Sequence, residues 1–94
     1  MTIFKNDNSP KHRILLRKSA SKDLDKLPDK LYKKNLRAIR RLESEYHPRG
    51  SKKIHIEKDL FRLRIGDYRI LYKTDPAENQ VTICRIVHRK EAYQ

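Results

Sequence analysis

The sequence has little of what defines several common classes of protein. Cys84 is the single cysteine among 94 residues, which excludes an intramolecular disulfide and argues against a cysteine-based zinc cluster. No apolar run approaches the ~20 residues that span a bilayer, and no secretory hydrophobic region follows Met1. A chain with one thiol fits a reducing compartment, so we expect a cytoplasmic protein. Because the sequence shows no metal ligands of useful spacing, we expect neither a metal nor a cofactor.

Acidic residues are scarce as well. The chain has 24 Lys and Arg against 12 Asp and Glu, which gives a formal net charge of +12. Hydrophobic residues make up 36% of the chain and provide for one small core, since a chain of this size buries only about 60–65% of its unfolded surface. We therefore expect a single domain whose partner is a polyanion or an acidic protein.

The first part of the chain predicts a leader, a strand and the start of two helices. Residues 1–13 are polar and are expected to form a flexible, basic leader. Residues 14–16 predict a short, largely buried strand. Ser19 and Ser21 are N-cap candidates for a first helix, and Pro28 is well placed to start a second one.

The second helix is the clearest element of the sequence. Five residues recur at steps of four, three, three and four, which places them on one apolar face: Tyr32, Leu36, Ile39, Leu42 and Tyr46. The opposite face carries cations that repel one another and that an anionic partner would stabilise. We call these residues the helix cations; they are Lys30, Lys33, Lys34, Arg37, Arg40 and Arg41. Residues 47–50 end the helix.

After Gly50 the apolar period changes from 3.6 to 2, which indicates β-strands. The three runs expected to form strands are residues 61–65, 68–72 and 81–88, a shorter alternation precedes them at residues 54–57, and turn signals lie at residues 66–67 and 75–79. The order of one strand, two helices and three strands in a meander predicts an α+β fold, β-α-α-β-β-β. We expect both helices on one face of a small, mainly antiparallel sheet, in a single domain over residues 14–94.

The strand alternation sends three arginines to the sheet face that the helices leave uncovered. If the apolar residues of these strands face the helices, Arg62, Arg64 and Arg69 share the other face. Guanidinium groups from neighbouring strands can hold a phosphate through charge-assisted hydrogen bonds. A solvated sheet exterior is the alternative interpretation. Lys52 and Lys53 form either a solvated loop or the rim of a groove for nucleic acid.

The last residues add two candidates for acid–base chemistry. His88, beside Arg89 at the end of a strand, is either structural or in contact with substrate. Tyr93 either packs as a terminal plug or places a phenol near the arginines, where surrounding cations favour the phenolate that a general base needs.

Two segments resemble one known family. LFRLRIGDYRILY at residues 60–72 resembles the central hairpin of the RelE/ParE superfamily of bacterial and archaeal toxins, and HRKEAY at residues 88–93 is similar to its carboxyl-terminal signature. The preceding strand and basic helix pair match in order and length, so the resemblance spans residues 13–94.

The resemblance implies a type II toxin that a cognate acidic antitoxin holds inactive. RelE members are ribosome-dependent endoribonucleases that cut mRNA in the decoding site without a metal, whereas ParE members poison DNA gyrase. ParE members tend to lack the full set of basic residues and tyrosine, so its presence favours the RelE branch. By this resemblance the catalytic residues are Arg62, Arg64, Arg69, His88, Arg89 and Tyr93.

We therefore expect an mRNA interferase that works by attack of the RNA 2′-hydroxyl on the adjacent phosphorus. Tyr93 or His88 would take the proton, the sheet arginines would stabilise the phosphorane, and Arg89 would stabilise the leaving oxygen. Lys52, Lys53 and the helix cations would bind RNA phosphates of the ribosome, and the helix cations also suit an acidic antitoxin segment. Operator DNA is a further expected partner, through the toxin–antitoxin complex. The alternatives are a ParE-like gyrase inhibitor and a basic nucleic-acid-binding protein.

Overall fold

The computed structural model describes residues 12–91, so nearly all of the predicted leader lies outside the described residues. The helices and strands follow the predicted order with one strand added. In chain order they are β1 (Arg13–Leu16), α1 (Lys18–Asp25), α2 (Asp29–Arg41), β2 (Ser51–Lys53), β3 (Leu60–Ile65), β4 (Tyr68–Asp75) and β5 (Gln80–His88). A 3-10 turn (Pro76–Glu78) joins β4 to β5 where a turn is predicted.

The strands form one sheet in the order β1-β5-β4-β3-β2, antiparallel except for the parallel pair of β1 and β5. Both helices pack on one face of this sheet and enclose the core with it. The core residues are Ala20, Leu24, Ala38, Ile39, Leu42, Leu63, Ile70, Tyr72, Val81, Ile83 and Ile86. The predicted α+β fold, with two helices on one face of a mainly antiparallel sheet, is confirmed.

The added strand, β2, corrects the interpretation of residues 54–57. These residues alternate in polarity, yet β2 precedes them and they belong to the connection between β2 and β3. The Ile54 N–H donates to the Leu60 carbonyl at 2.8 Å and closes this connection, in which Asp59 adopts a left-handed φ of 62°. Ile56 is consequently 87% exposed.

The first strand is an edge strand, where the sequence predicts a largely buried one. β1 pairs with β5 alone among the described strands, so its second edge has no strand neighbour within residues 12–91. Leu15 is 42% exposed and Leu16 is 39% exposed. The apolar run predicts the strand correctly, but an apolar run cannot indicate whether a strand lies at the centre or at the edge of a sheet.

The second helix begins directly after Pro28, as predicted, and ends earlier than predicted. Because α2 ends at Arg41, Tyr46 lies in a loop and not on the helical stripe. Tyr46 still packs against the core, and its carbonyl accepts the Tyr72 hydroxyl at 2.7 Å. The helix also buries a polar residue that the apolar pattern does not include, since Asn35 is fully buried and donates to the Leu31 carbonyl at 2.9 Å.

Side chains of α1 bond the edge of β5 beyond the end of β1. Ser19, an N-cap candidate in the sequence, donates its hydroxyl to the Cys84 carbonyl at 3.0 Å, and no side chain of the described residues caps α1. The Asp23 carboxylate accepts the Ile86 N–H at 2.9 Å and pairs with the Arg85 guanidinium at 2.7 Å. Burial alone would raise the pKa of Asp23, but the hydrogen bonds from Arg85 and Ile86 outweigh it and lower that pKa. These bonds fix α1 against the sheet.

Candidate functional site

Strand pairing places four cations on the sheet face that the two helices leave uncovered. Arg62 of β3 lies opposite Lys52 of β2, and Arg64 lies opposite Arg69 of β4. Opposite residues in neighbouring strands point to the same face, and Leu63 between the two arginines is buried on the helix side. We call Lys52, Arg62, Arg64 and Arg69 the cationic face. The structure thus brings together the three sheet arginines that the sequence predicts.

A two-residue turn fixes this register. Gly66 and Asp67 join β3 to β4, with Ile65 directly opposite Tyr68. Gly66 adopts φ of 59°, a left-handed conformation that glycine takes without strain and that suits the twist of a tight hairpin. A slip of one residue would send the cationic side chains to the apolar side, so the turn residues determine the composition of both faces.

A pocket of about 270 Å³ opens on the cationic face. Its lining residues are Gly50, Ser51, Lys52, Arg62 and Arg64. Lys52 and Arg64 are exposed and Arg62 is half-buried. Arg69 is only 5% exposed, so it adds positive charge from beneath the surface. An anion in this pocket would meet charge from two neighbouring strands.

The electrostatics of the cationic face favour an anionic ligand. Like charges directly opposite each other in a sheet are destabilising, and this face has two such pairs, Lys52 with Arg62 and Arg64 with Arg69. Within residues 12–91 the ion pairs lie elsewhere, and none involves Lys52, Arg62 or Arg64. An anion between these cations would relieve their repulsion and gain charge-assisted hydrogen bonds.

His88 lies on the opposite face of the sheet. It stands opposite Tyr68, and the two rings meet edge to face with 5.2 Å between their centroids. Tyr68 packs against the helix-side core, so His88 shares the helix side. Its Nδ1 accepts the Lys90 N–H at 3.2 Å. The structure therefore does not bring His88 to the cationic face.

The remaining predicted catalytic residues follow β5. The Arg89 N–H donates to the Asp67 carbonyl at 2.7 Å, and the Arg89 guanidinium lies 3.8 Å from the Asp67 carboxylate. Arg89 therefore sits at the tip of the β3–β4 hairpin, exposed and beside an acidic residue. Tyr93 lies outside the described residues.

The six predicted helix cations are all exposed on α2. Lys33 pairs with Asp29 at 3.3 Å, an exposed contact within the helix. Beside them a surface trough of about 550 Å³ runs between α2 and the end of β3. We call it the α2 trough; its lining residues are Lys34, Arg37, Ala38, Arg40, Arg41 and Ile65. The helix cations and the cationic face therefore belong to two separate surfaces.

The two β2 residues that the sequence predicts at the rim of a groove point to opposite faces of the sheet. Lys52 lines the pocket, whereas Lys53 lies opposite Phe61 and points to the helix side. Gly50 and Ser51 line the pocket but are not among the residues that the sequence predicts. Gly50 and Ser51 line the pocket because β2 pairs with β3. The three residues of β2 have no apolar alternation, so the sequence gives no signal for this strand.

The described residues were also compared with two further kinds of site, a metal site and a membrane span. Within residues 12–91 no three His, Cys, Asp or Glu side chains are grouped so that they could hold a metal ion. The helices of that part of the chain are also too short and too polar to cross a membrane.

The sequence matches the family model of the ParE toxin of type II toxin-antitoxin systems over residues 14–93. The chain belongs to this toxin family. The family is part of the RelE/ParE superfamily whose hairpin and carboxyl-terminal signature the sequence resembles, and the chain is thus a type II toxin of that superfamily. No functionally curated protein matches the chain.

Solved toxins of both branches are similar to this toxin. The archaeal RelE of the RelE–RelB complex from Pyrococcus horikoshii is 30% identical, with a TM-score of 0.77, over 87% of this chain and 99% of that one. A chain of the RelBE2 toxin-antitoxin complex from Mycobacterium tuberculosis is 29% identical, with a TM-score of 0.72, over 89% and 97%. A chain of the chromosomal ParDE system from P. aeruginosa shares the fold with a TM-score of 0.66, at 14% identity over 85% and 98%.

Proposed function

We propose that this toxin is an endoribonuclease that cleaves mRNA on the ribosome without a metal. The observation that carries the proposal is the cationic face, where Lys52, Arg62 and Arg64 line one pocket and make no ion pair within residues 12–91. A phosphodiester matches such a pocket, because it accepts several charge-assisted hydrogen bonds at once. The RelE toxins that the sequence resembles act on this substrate.

The proposed reaction uses the hydroxyl group of the RNA itself. A base removes the proton of the 2′-hydroxyl, the 2′-oxygen bonds to phosphorus, and the bond from phosphorus to the 5′-oxygen breaks as that oxygen gains a proton. The products are a 2′,3′-cyclic phosphate and a 5′-hydroxyl. Lys52, Arg62 and Arg64 stabilise the negative charge of the phosphorane, and Arg69 adds to the positive potential from beneath.

In this proposal the base is Tyr93 and not His88, because His88 packs against Tyr68 on the helix side of the sheet. The role of Tyr93 rests on the family resemblance. Arg89 stabilises the leaving oxygen. Its contact with Asp67 is exposed on both sides, so exchanging that contact for substrate costs little.

The proposed partners follow from the same family. The RelE and RelBE2 neighbours were solved as toxin–antitoxin complexes. We therefore propose a cognate acidic antitoxin for this chain, which in complex with the toxin would also contact operator DNA. The toxin itself would act on the ribosome in the cytoplasm, where its net charge of +12 favours contact with rRNA.

The test is controlled expression of the toxin in translating cells, with mapping and end-group analysis of the cleaved mRNA. We expect new 5′-hydroxyl ends for the wild type. Removing one group that stabilises a developing negative charge costs about 10²–10³-fold, so Arg62→Ala/Arg64→Ala should lower cleavage by at least that factor. Tyr93→Phe should lower it as well.

The matched control is Lys18→Ala/Lys22→Ala, which removes the same charge from the exposed surface of α1. Cleavage by this variant should equal that of the wild type. A 5′-phosphate product would exclude attack by the 2′-hydroxyl. An equal loss of cleavage in both double variants would mean that the cationic face contributes only through its net charge.

Inhibition of DNA gyrase is the second candidate function. The matching family model is that of the ParE toxin, and the ParDE chain shares the fold. Two results together would establish this function in place of the nuclease. The purified toxin would inhibit supercoiling by gyrase, and cells that express the toxin would show no new mRNA ends.

A further inference from the structure

The pocket of the cationic face depends on the shortest strand of the sheet. β2 has three residues, and among the described strands it pairs only with β3. One of its three residue pairs opposes two cations, Lys52 and Arg62, which is destabilising. Lys52 faces the pocket only while β2 keeps its register, because a slip of one residue reverses the side to which each side chain points. A short edge strand with a repulsive pair therefore needs a further contact to hold it in place.

Such a contact lies on the helix side of the sheet. Ser51 stands opposite the fully buried Leu63, so the Ser51 side chain points to the helix side while Lys52 points to the cationic face. The Ser51 side chain hydrogen-bonds the hydroxyl of Tyr72, a fully buried residue of β4. That hydroxyl donates its own proton to the Tyr46 carbonyl at 2.7 Å. The Ser51 hydroxyl is therefore the donor in the bond to Tyr72.

The two bonds join three parts of the chain at one buried oxygen atom. The Tyr72 hydroxyl accepts from β2 and donates to the loop between α2 and β2, and it belongs to β4, the middle strand of the sheet. The Tyr72 ring is held as well, because it stacks on Phe61 with 5.7 Å between the ring centroids. Burial raises the pKa of Tyr72 more than the bond from Ser51 lowers it, so the hydroxyl keeps its proton near neutral pH.

We infer that Tyr72 is a positioning residue for the pocket of the cationic face. Through Ser51, its hydroxyl holds β2 in the register that presents Lys52 to an anion in the pocket. Tyr72 is fully buried on the helix side and does not touch that anion itself. The inference rests on the proposed RNA site for the identity of the ligand, whereas the anchoring of β2 is a property of the free protein.

The first test measures whether β2 is held, and it needs no ligand. Hydrogen exchange of the backbone amides of residues 51–54 is compared in the full-length wild type and in Tyr72→Phe, which removes the hydroxyl and keeps the ring. We expect exchange to be about two- to tenfold faster in the variant, as the loss of one hydrogen bond predicts. Ser51→Ala removes the other partner of the same bond from a half-buried position and should give the same result.

The matched control is Tyr46→Phe. It removes a buried hydroxyl that has no hydrogen-bond partner within residues 12–91, and it leaves the Tyr46 carbonyl in place. Exchange of residues 51–54 should equal that of the wild type in this variant. Wild-type exchange in Tyr72→Phe would overturn the inference, and so would faster exchange by the same factor in β2 and β5, since that result would report only a lower stability of the whole protein.

The second test measures whether the anchor serves the pocket. Lys52→Ala should make the slope of the logarithm of RNA affinity against the logarithm of salt concentration shallower by about 0.7, the value for one phosphate of a single strand. Tyr72→Phe should make it shallower by up to about 0.7 although it removes no charge, in protein shown to be folded by its thermal transition. The double variant Lys52→Ala/Tyr72→Phe should match Lys52→Ala alone, because both changes remove the same contact. Tyr46→Phe should leave the slope unchanged.

The variants separate failure of the inference from failure of the proposed site. A wild-type slope in Tyr72→Phe, together with a shallower slope in Lys52→Ala, would overturn the inference and leave the RNA site in place. Wild-type slopes in both Lys52→Ala and Arg62→Ala/Arg64→Ala would contradict the RNA site instead. In that case the exchange of residues 51–54 would still decide whether Tyr72 holds β2.

Discussion

At the scale of single residues, Asp23 connects α1 to β5. Its carboxylate is 13% exposed, bonds the Ile86 N–H and pairs with Arg85. Asp23→Asn removes the charge while keeping the shape, and we expect it to lower the free energy of unfolding by roughly 1.5–3 kcal/mol, the range for hydrogen bonds to charged groups. Urea denaturation at neutral pH measures this loss.

The control for Asp23 is Asp29→Asn, because Asp29 also pairs with a cation but is 82% exposed. We expect a change of no more than about 0.5 kcal/mol for this exposed pair within a helix. The pKa of Asp23 is lowered in the folded state, so its stabilisation is complete above the ordinary carboxyl pKa and is lost as the pH falls through the folded pKa. The stability difference between wild type and Asp23→Asn should therefore shrink in acid; a difference that stays constant down to acid pH would assign the effect to shape instead of charge.

At the scale of elements, the pairing of β2 with β3 opposes two cations, Lys52 and Arg62. Lys52→Glu converts a repulsive cross-strand pair into an attractive one, and we expect it to raise the free energy of unfolding by about 0.2–1 kcal/mol. Urea denaturation at low and high salt measures the change, which should shrink in 1 M salt, where the screening length is about 3 Å. The wild-type residue would then be retained at a cost in stability, as expected for a ligand site.

The neighbouring position provides the control for this prediction. Lys53 lies opposite Phe61 on the other face, so Lys53→Glu removes no like-charged pair and should change the stability by less than Lys52→Glu does. If both substitutions stabilise the protein equally, the gain comes from the lower net charge and not from the strand pair.

The elements also differ in how well the sequence predicts them. The β3–β4 hairpin and α2 are predictable, because Gly66 and Pro28 fix where they turn or begin and their apolar periods are long. β2 is not, since its three residues carry no apolar pattern and its place depends on pairing with β3. His88 could have been placed from the sequence, because it lies two residues after the core residue Ile86 and strand alternation puts both on the helix side.

At the scale of the whole molecule, a net charge of +12 would attract any polyanion, so the salt dependence of the wild-type protein alone cannot locate the proposed RNA site. A change in that salt dependence in a variant can locate it, because it reports how many phosphates the variant no longer neutralises. The logarithm of the affinity for single-stranded RNA falls with the logarithm of the salt concentration with a slope of about −0.7 for each phosphate neutralised. If Arg62 and Arg64 each contact a phosphate, Arg62→Ala/Arg64→Ala should make this slope shallower by about 1.4.

The control variant lowers the net charge by the same two units at a distance from the pocket. Lys18→Ala/Lys22→Ala should change the slope of the salt dependence by much less than 1.4, because it acts only through the weaker overall field. Titration of a fluorescent single-stranded RNA at several salt concentrations measures both slopes. Equal slopes in the two double variants would mean that RNA is held by the diffuse charge of the molecule, whereas a change confined to Arg62→Ala/Arg64→Ala locates the contact at the cationic face.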